Sequence, residues 1–137
     1  MIKYHYQNII ILVILAMDKI FAQLYKNLHN TGYKEINPLK SFLFQTKQNV
    51  ILIFYIVSQK HGQSTLEDIC YNISPKVISR STIQNILKDG VGLKFFEKKI
   101  NQKDKRAKYY KLTKEAQNVV EEWAHGQNKV FSSLNNL

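Results

Sequence analysis

The side chains in this sequence best suited to chemistry are cations gathered in one short stretch, residues 94–111. Eight of them stand against two anions, Glu97 and Asp104, which leaves a local charge of +6. The cations are Lys94, Lys98, Lys99, Lys103, Lys105, Arg106, Lys108 and Lys111. Clustered cations of this kind bind phosphate groups, so the stretch predicts contact with an anionic polymer.

This cationic stretch has the pattern of a β-hairpin. Residues 93–100 and 107–112 are rich in aromatic side chains, which suit half-buried strands, and the six residues between them are polar. The pattern predicts two arms with a cationic tip, which suits phosphates and a narrow DNA minor groove. The hairpin residues predicted to contact DNA are Lys103, Asp104, Lys105, Arg106 and Lys108.

A short amphipathic helix is predicted immediately before the hairpin, over residues 79–88. Ile83, Ile86 and Leu87 follow the i, i+3, i+4 spacing of one apolar stripe. Ser79 or Ser81 is expected to cap the helix, and Gly90 and Gly92 are expected to end it. The predicted base-facing side chains are Arg80, Ser81, Thr82, Gln84, Asn85 and Lys88.

Helix followed by basic hairpin and a second helix is the layout of a winged helix. The sequence resembles the MarR family of winged helix transcription regulators, on Asp104-x-Arg106, five further residues and then Leu112-Thr113. The resemblance implies that Arg106 enters the minor groove while Asp104 braces it. Around a tight tip, Asp104 is expected to accept a hydrogen bond from the Arg106 guanidinium.

The composition agrees with a nucleic-acid partner. The chain has 137 residues, 45% of them hydrophobic, with a net charge of +10 and a pI near 9.7. This size predicts one domain with a core of its own. The charge favours double-stranded DNA first and an anionic membrane surface second, although many small proteins are basic without any such partner.

Nothing in the sequence predicts catalysis, a metal site or a cofactor. The four histidines are scattered, and Cys70 is the single cysteine, which fits a reducing, cytoplasmic location. Cys70 lies on the apolar side of a short predicted helix. It is therefore expected to pack in the core, with redox sensing as the less favoured alternative.

A long helix is predicted over residues 1–32. Its residues 9–17 are all apolar, a run too short to span a bilayer, so no membrane partner is expected, and a signal peptide is disfavoured because no cleavage site follows. A helix that is apolar all round must be covered on every side. A second subunit can do this, and the resemblance implies a homodimer joined through N- and C-terminal helices; packing within one domain is the alternative.

The remaining pattern completes a mainly α (α+β) winged helix-turn-helix with a two-stranded β-wing. Helices are expected over residues 45–61 and 65–71, the second opened by a capping box from Ser64 to Glu67 and followed by a turn over 75–78. A last helix is expected over 113–134, bent or split at Gly126. The single domain, 1–137, then comprises a DNA-binding core, 45–112, and dimerisation segments, 1–32 and 113–137.

Three functions are compatible with this pattern. The first is a dimeric transcription regulator, the second a plasmid or phage replication or partition protein that uses the same surface, and the third a protein–protein interaction module. The basic wing favours the first two over the third. A small-molecule effector is also conceivable, in a pocket lined by the aromatic residues Tyr25, Phe42, Phe44 and Tyr55.

Overall fold

The computed structural model describes residues 2–33 and 37–136, and the predicted ends at Met1 and Leu137 lie outside them. The helices are α1 (Ile2–Thr31), α2 (Pro38–Leu43), α3 (Lys47–Ser58), α4 (Leu66–Asn72), α5 (Arg80–Gly92) and α6 (Lys114–Phe131). The strands are β1 (Gln63–Thr65), β2 (Phe96–Ile100) and β3 (Lys108–Leu112). Short 3₁₀ turns occupy Lys60–Gly62 and Ser132–Asn136. This architecture confirms the predicted mainly α winged helix.

Helix α1 is the long N-terminal helix that the sequence predicts. Only Ile20 and Thr31 are buried among its residues, whereas every side chain of the apolar residues 9–15 is exposed. By length and composition alone, α1 is also apolar enough to cross a membrane, and its most apolar 18-residue window is 6% buried. The described chain therefore leaves the first half of α1 uncovered.

Polar caps fix the two helices that follow. Asn37 caps α2 by accepting from the backbone N–H groups of Leu39 and Lys40. Thr46 caps α3, and the buried Asn49 joins the two helices because its Nδ2 donates to the carbonyl of Phe42 at 2.8 Å. Helix α3 ends at Ser58, three residues before the predicted end, where the chain turns toward β1.

Helices α4 and α5 form the predicted helix-turn-helix. The N-cap of α4 is Thr65, whose hydroxyl accepts from the N–H of Asp68 at 3.1 Å. The predicted capping box, Ser64 to Glu67, is therefore wrong by one position, since Ser64 is buried at the centre of β1. Gln48 of α3 steadies the turn by donating to the Val77 carbonyl at 3.2 Å.

Helix α5 is longer than the predicted span 79–88 because Gly90 does not end it. The helix continues to Gly92, and Leu93 is its C-cap. Lys94 then adopts a left-handed φ of 60°. The N–H groups of Lys94 and Phe95 bond to the carbonyls of Val91 and Gly90, which is the Schellman arrangement that ends a helix.

Gly90 serves close packing instead. A Cβ at this position would lie 2.6 Å from Cε2 of Phe96 and 3.2 Å from Cζ of Phe42. Only a glycine lets the helix approach the two rings this closely. Gly90, which the sequence pattern predicted to end the helix, is thus the point of close contact between α5 and β2.

The sheet has three strands in the order β1-β3-β2. The wing, which is β2, β3 and the loop 101–107 between them, pairs antiparallel with Phe96 opposite Leu112 and Ile100 opposite Lys108. Strand β1, which was not predicted, adds to the other edge of β3 with Gln63 opposite Lys111. The two predicted arms are confirmed, and β1 anchors them to the helical core.

Helix α6 runs without interruption through Gly126, so the helix is not split there. Thr113 caps it by accepting from the N–H of Ala116 at 3.2 Å. Gly126 is exposed and no atom lies within 4 Å of where its Cβ would be, so the glycine costs helix propensity without breaking the hydrogen-bond ladder.

One apolar core joins these elements. Its fully buried large side chains are Phe95, Phe96, Leu43, Leu52, Ile53, Ile56, Ile69, Ile78, Ile83 and Leu87. They come from α2, α3, α4, α5, the turn before α5 and the start of the wing, so the core fixes the helices and the wing against one another. Cys70 packs against this core and is partly buried, which agrees with its expected packing role.

We expect Gly90→Ala to destabilise the protein by about 1–3 kcal/mol, because the new methyl group overlaps the Phe96 ring. Gly92→Ala is the matched control in the same helix, with open space around its Cβ position. It should be neutral or stabilising by about 0.4–1 kcal/mol. Urea unfolding of both variants measures the difference, and equal stabilities would contradict the packing role of Gly90.

Candidate nucleic-acid interface

The exposed side of α5 carries four polar residues in one line. Ser81, Gln84, Asn85 and Lys88 follow i, i+3, i+4, i+7 spacing and are exposed, while Ile83 and its apolar neighbours are buried on the opposite side. We call these four residues the polar stripe. Within the described part of the chain, the side chains of Gln84, Asn85 and Lys88 have no hydrogen-bond partner, so they are free to meet a ligand.

The hydroxyl groups at the start of α5 are already engaged. Ser79 is the N-cap and accepts from the N–H of Thr82 at 3.2 Å. Its Oγ also donates to Thr82 Oγ1 at 2.9 Å and lies 3.2 Å from Ser81 Oγ. Of the two predicted caps, Ser79 is the one used. The network makes Ser81 and Thr82 less available to a ligand than Gln84 and Asn85.

Arg80, the first residue of α5, is held by Glu67 of α4. Its Nη2 and Nη1 donate to Oε1 and Oε2 of Glu67 at 2.6 and 3.3 Å. The hydrogen bonds and the charge of the Arg80 guanidinium lower the pKa of the Glu67 carboxyl. The hydrogen bonds and the charge of the Glu67 carboxylate raise the pKa of Arg80. Glu67 was not among the predicted site residues, because its contact with Arg80 joins residues 13 positions apart on two helices.

The tip of the wing is folded by short-range hydrogen bonds. Asp104 Oδ1 accepts from the backbone N–H of Arg106 at 3.0 Å, and its carbonyl accepts from the N–H of Ala107 at 3.0 Å. Asn101 caps the other side by accepting from the N–H of Lys103 at 2.9 Å. Asp104 therefore shapes the loop. The expected bond to the Arg106 guanidinium is not formed; the carboxylate bonds to the backbone N–H of Arg106 instead.

The predicted wing cations surround this folded tip. Lys103, Lys105, Arg106 and Lys108 are all exposed. In the strands below, Lys98 lies over the Tyr110 ring at 5.7 Å and Lys99 lies 3.9 Å from Glu97. The wing thus presents its unpaired positive charge mainly at the tip.

The polar stripe and the wing are joined by a rigid connection. The N–H of Phe95 donates to the carbonyl of Gly90 at 2.8 Å, and the carbonyl of Phe95 accepts from the N–H of Thr113 at 2.9 Å. Thr113 Oγ1 also donates to the carbonyl of Lys94 at 2.7 Å. These bonds tie the end of α5 to both ends of the wing, so the two polar surfaces keep a fixed separation.

The aromatic residues proposed to line an effector pocket do not meet in one cavity. Phe42 is buried, Phe44 packs on Trp123, Tyr55 bonds to the Asp68 carbonyl and Tyr25 is exposed. A cleft of about 390 Å³ does open beside Trp123, lined by Asn27, Asn37, Lys40, Val119, Glu122, Gly126 and Gln127. A small-molecule effector stays a prediction. Among the described residues, no group of three or more His, Cys, Asp or Glu side chains could hold a metal ion.

The order of α4, α5 and a β-hairpin wing defines a winged helix-turn-helix protein. No protein-family model and no curated protein sequence matches the chain. Among solved structures, the transcriptional regulator Tm0710 from Thermotoga maritima is 12% identical, with a TM-score of 0.58 over 88% of this chain and 78% of that one.

Two further structures with this fold were solved with DNA. Sco3205, a MarR family transcriptional regulator from Streptomyces coelicolor, is 14% identical, with a TM-score of 0.52 over 98% of this chain and 74% of its own. The S. aureus MepR–DNA complex is 18% identical, with a TM-score of 0.52 over 84% of each chain. The chain therefore has the MarR-type winged helix fold, as the wing motif predicted.

We expect the Glu67 carboxyl to titrate below the ordinary range of a glutamate, and Arg80→Gln to return its pKa upward. Since the folded pKa is lowered, any stability from the pair is present at neutral pH and is lost as the pH falls through that pKa. Side-chain carboxyl NMR of both proteins measures the two midpoints. A Glu67 midpoint that does not move on removing Arg80 would contradict the pair in solution.

Proposed function

We propose that this protein is a dimeric DNA-binding transcription regulator, in which α5 enters the major groove and the wing enters the adjacent minor groove. The observation that carries the proposal is the rigid pairing of the unengaged Gln84, Asn85 and Lys88 of the polar stripe with a cationic wing tip, on the MarR-type fold. Neither surface has another use within the described chain. A cytoplasmic location follows from this function.

The side chains of α5 suit base contacts in the major groove. Gln84 and Asn85 can each form two hydrogen bonds with an adenine edge, one donated and one accepted. Arg80 can bond to guanine or phosphate. Lys88 lies one turn further along the polar stripe and suits a phosphate. Ser81 and Thr82 are close enough to the helix start to contact the DNA backbone after partial release from Ser79.

The wing suits the minor groove and its phosphates. Lys103, Lys105 and Lys108 supply charge that releases counterions from DNA, and Arg106 extends from the tip. A narrow A·T-rich minor groove has the strongest negative potential and attracts an inserted arginine. Asp104 folds the loop through its bonds to backbone N–H groups, and the folded loop then orients the Arg106 side chain.

A replication or partition protein would use the same DNA-binding surface on repeated sites. The two functions differ in where the sites lie, so a map of bound genomic sites separates promoters from replication repeats. A protein-contact module, in contrast, needs no DNA binding at all. The exposed cations of the wing favour DNA over that alternative.

The dimer is proposed to form through α1 and α6. Seven consecutive exposed apolar residues, 9–15, point in every direction around α1, because successive residues of a helix are rotated by about 100°. One domain can cover only one side of such a helix. Phe131 and Leu134 add exposed apolar surface at the other end of the chain. A second copy that interlocks its own α1 and α6 covers both.

We expect the parent protein to sediment at twice its mass of 16.1 kDa at micromolar concentration. Ile11→Glu together with Ile14→Glu should weaken the dimer by about tenfold or more, since each 1.4 kcal/mol of lost association free energy is a factor of ten. Ile100→Glu, the same change at an exposed site on the wing, should leave the dimer intact.

A monomeric parent would contradict the dimer and the use of two DNA half-sites. Vesicle flotation of the same protein tests the other partner that could cover α1, which is a lipid membrane. A parent protein that stays monomeric and floats with lipid vesicles would show that α1 is a membrane segment instead.

DNA binding itself is tested on a sequence enriched from a random oligonucleotide pool. We expect Arg106→Ala to weaken binding and to reduce the salt slope by about one counterion without lowering the melting temperature. Gln84→Ala or Asn85→Ala should cost about 1–3 kcal/mol on the selected sequence and little on random DNA. Fluorescence anisotropy over a range of salt concentrations measures both effects.

The matched control is Lys60→Ala, which removes the same charge at an exposed site. Lys60 precedes β1 at the end of the sheet opposite the wing tip, because Gln63 pairs with Lys111 and Thr65 with Tyr109. Binding by this variant should resemble that of the parent. If Arg106→Ala also bound DNA as the parent does, the wing would not be a DNA contact.

A further inference from the structure

The ion pair between Glu67 and Arg80 is unusual for its position. It joins the first turn of α4 to the first residue of α5, at the edge of the polar stripe. Both side chains are well exposed, 75% for Glu67 and 52% for Arg80. The negative charge of Glu67 weakens the attraction between Arg80 and DNA phosphates. Tighter binding to DNA therefore does not explain why a carboxylate lies beside this arginine.

Stability does not supply that reason. Exposed ion pairs contribute little to folding because water already solvates both charges. Asp68, the next residue of α4, is also exposed and bears the same charge, and it makes no ion pair with Arg80. What distinguishes Glu67 is the two-pronged bond to the guanidinium.

The geometry of the guanidinium shows what this bond can do. Arginine has five N–H donors in a rigid plane, and Glu67 takes one from each terminal nitrogen of Arg80. Three donors remain, including Nε–H, which is enough for the two-bond contact that an arginine makes to O6 and N7 of guanine. Glu67 can therefore stay in place while Arg80 contacts a base.

We propose that Glu67 is a positioning residue that holds Arg80 for a guanine in the major groove and weakens its attraction to phosphates in general. This inference rests on the proposed DNA-binding function. Fixing the guanidinium removes rotamer entropy that would otherwise be lost on binding. Offsetting its charge lowers affinity for every DNA sequence alike. Together the two effects raise sequence discrimination rather than total affinity.

The test compares Glu67→Gln with Asp68→Asn, which removes the same charge from the neighbouring position of the same helix turn. For each variant, the dissociation constant is measured on the selected sequence and on random DNA. Asp68→Asn should strengthen both alike and leave their ratio unchanged. Glu67→Gln should strengthen binding to random DNA but not to the selected sequence, so that the ratio falls about five- to tenfold.

A second measurement locates the effect on one base pair. Each G·C pair of the selected sequence is replaced in turn, and Arg80→Ala identifies the pair whose replacement no longer matters. Glu67→Gln should lose preference at that same pair alone. The double variant with Glu67→Gln and Arg80→Ala should discriminate between sequences as well as Arg80→Ala alone does. Melting temperatures of the two charge variants should match.

Two results would overturn the positioning role while leaving DNA binding intact. One is a Glu67→Gln variant with the same ratio as Asp68→Asn. The other is tighter binding of Glu67→Gln to the selected sequence, which would make the pair a latch that DNA must break. If the parent protein enriches no sequence from the pool, the proposed function itself is overturned, and the role of Glu67 with it.

Discussion

The packing of three phenylalanine rings, two of which lie against one glycine, is the contact on which the rest of the structure depends. Phe42, Phe95 and Phe96 have ring centroids 5.0 to 6.1 Å apart, and the Phe96 ring lies directly against Gly90 of α5. Phe42 belongs to α2, and the other two rings begin the wing. This one cluster therefore sets the position of α5, the wing and the helical core relative to one another. A larger residue at Gly90 would push apart the polar stripe and the wing, the two surfaces proposed to meet the same DNA.

The turn between α5 and the wing follows from the same constraint. Phe95 and Phe96 can reach the core only if the chain reverses sharply after α5, and the left-handed conformation of Lys94 provides that reversal. Bonds from Thr113 to the carbonyls of Lys94 and Phe95 then bring the end of the wing back to the same place. The wing is thus rigid at its base, while its charged tip remains exposed.

Local patterns in the sequence predicted most of the fold, and tertiary contacts account for what they missed. The apolar stripe on α5 and the cap at Ser79 are local features, so they were predictable. Strand β1 has three residues and exists only because β3 offers it a free edge. Likewise, Gly90 looks like a helix stop until Phe96 is placed against it. Among the candidate site residues, the polar stripe followed from helical spacing, but the partner of Arg80 did not.

The central claim is that α5 and the wing contact neighbouring grooves of one DNA site, once for each subunit. Chemical footprinting on the selected sequence tests it most directly, with dimethyl sulfate reporting on guanine N7 in the major groove and hydroxyl radicals on the minor groove. The account predicts two protected major-groove segments about 10 base pairs apart, each with a protected minor groove beside it. Protection of a single segment at saturating protein, or of the minor groove alone, would contradict it.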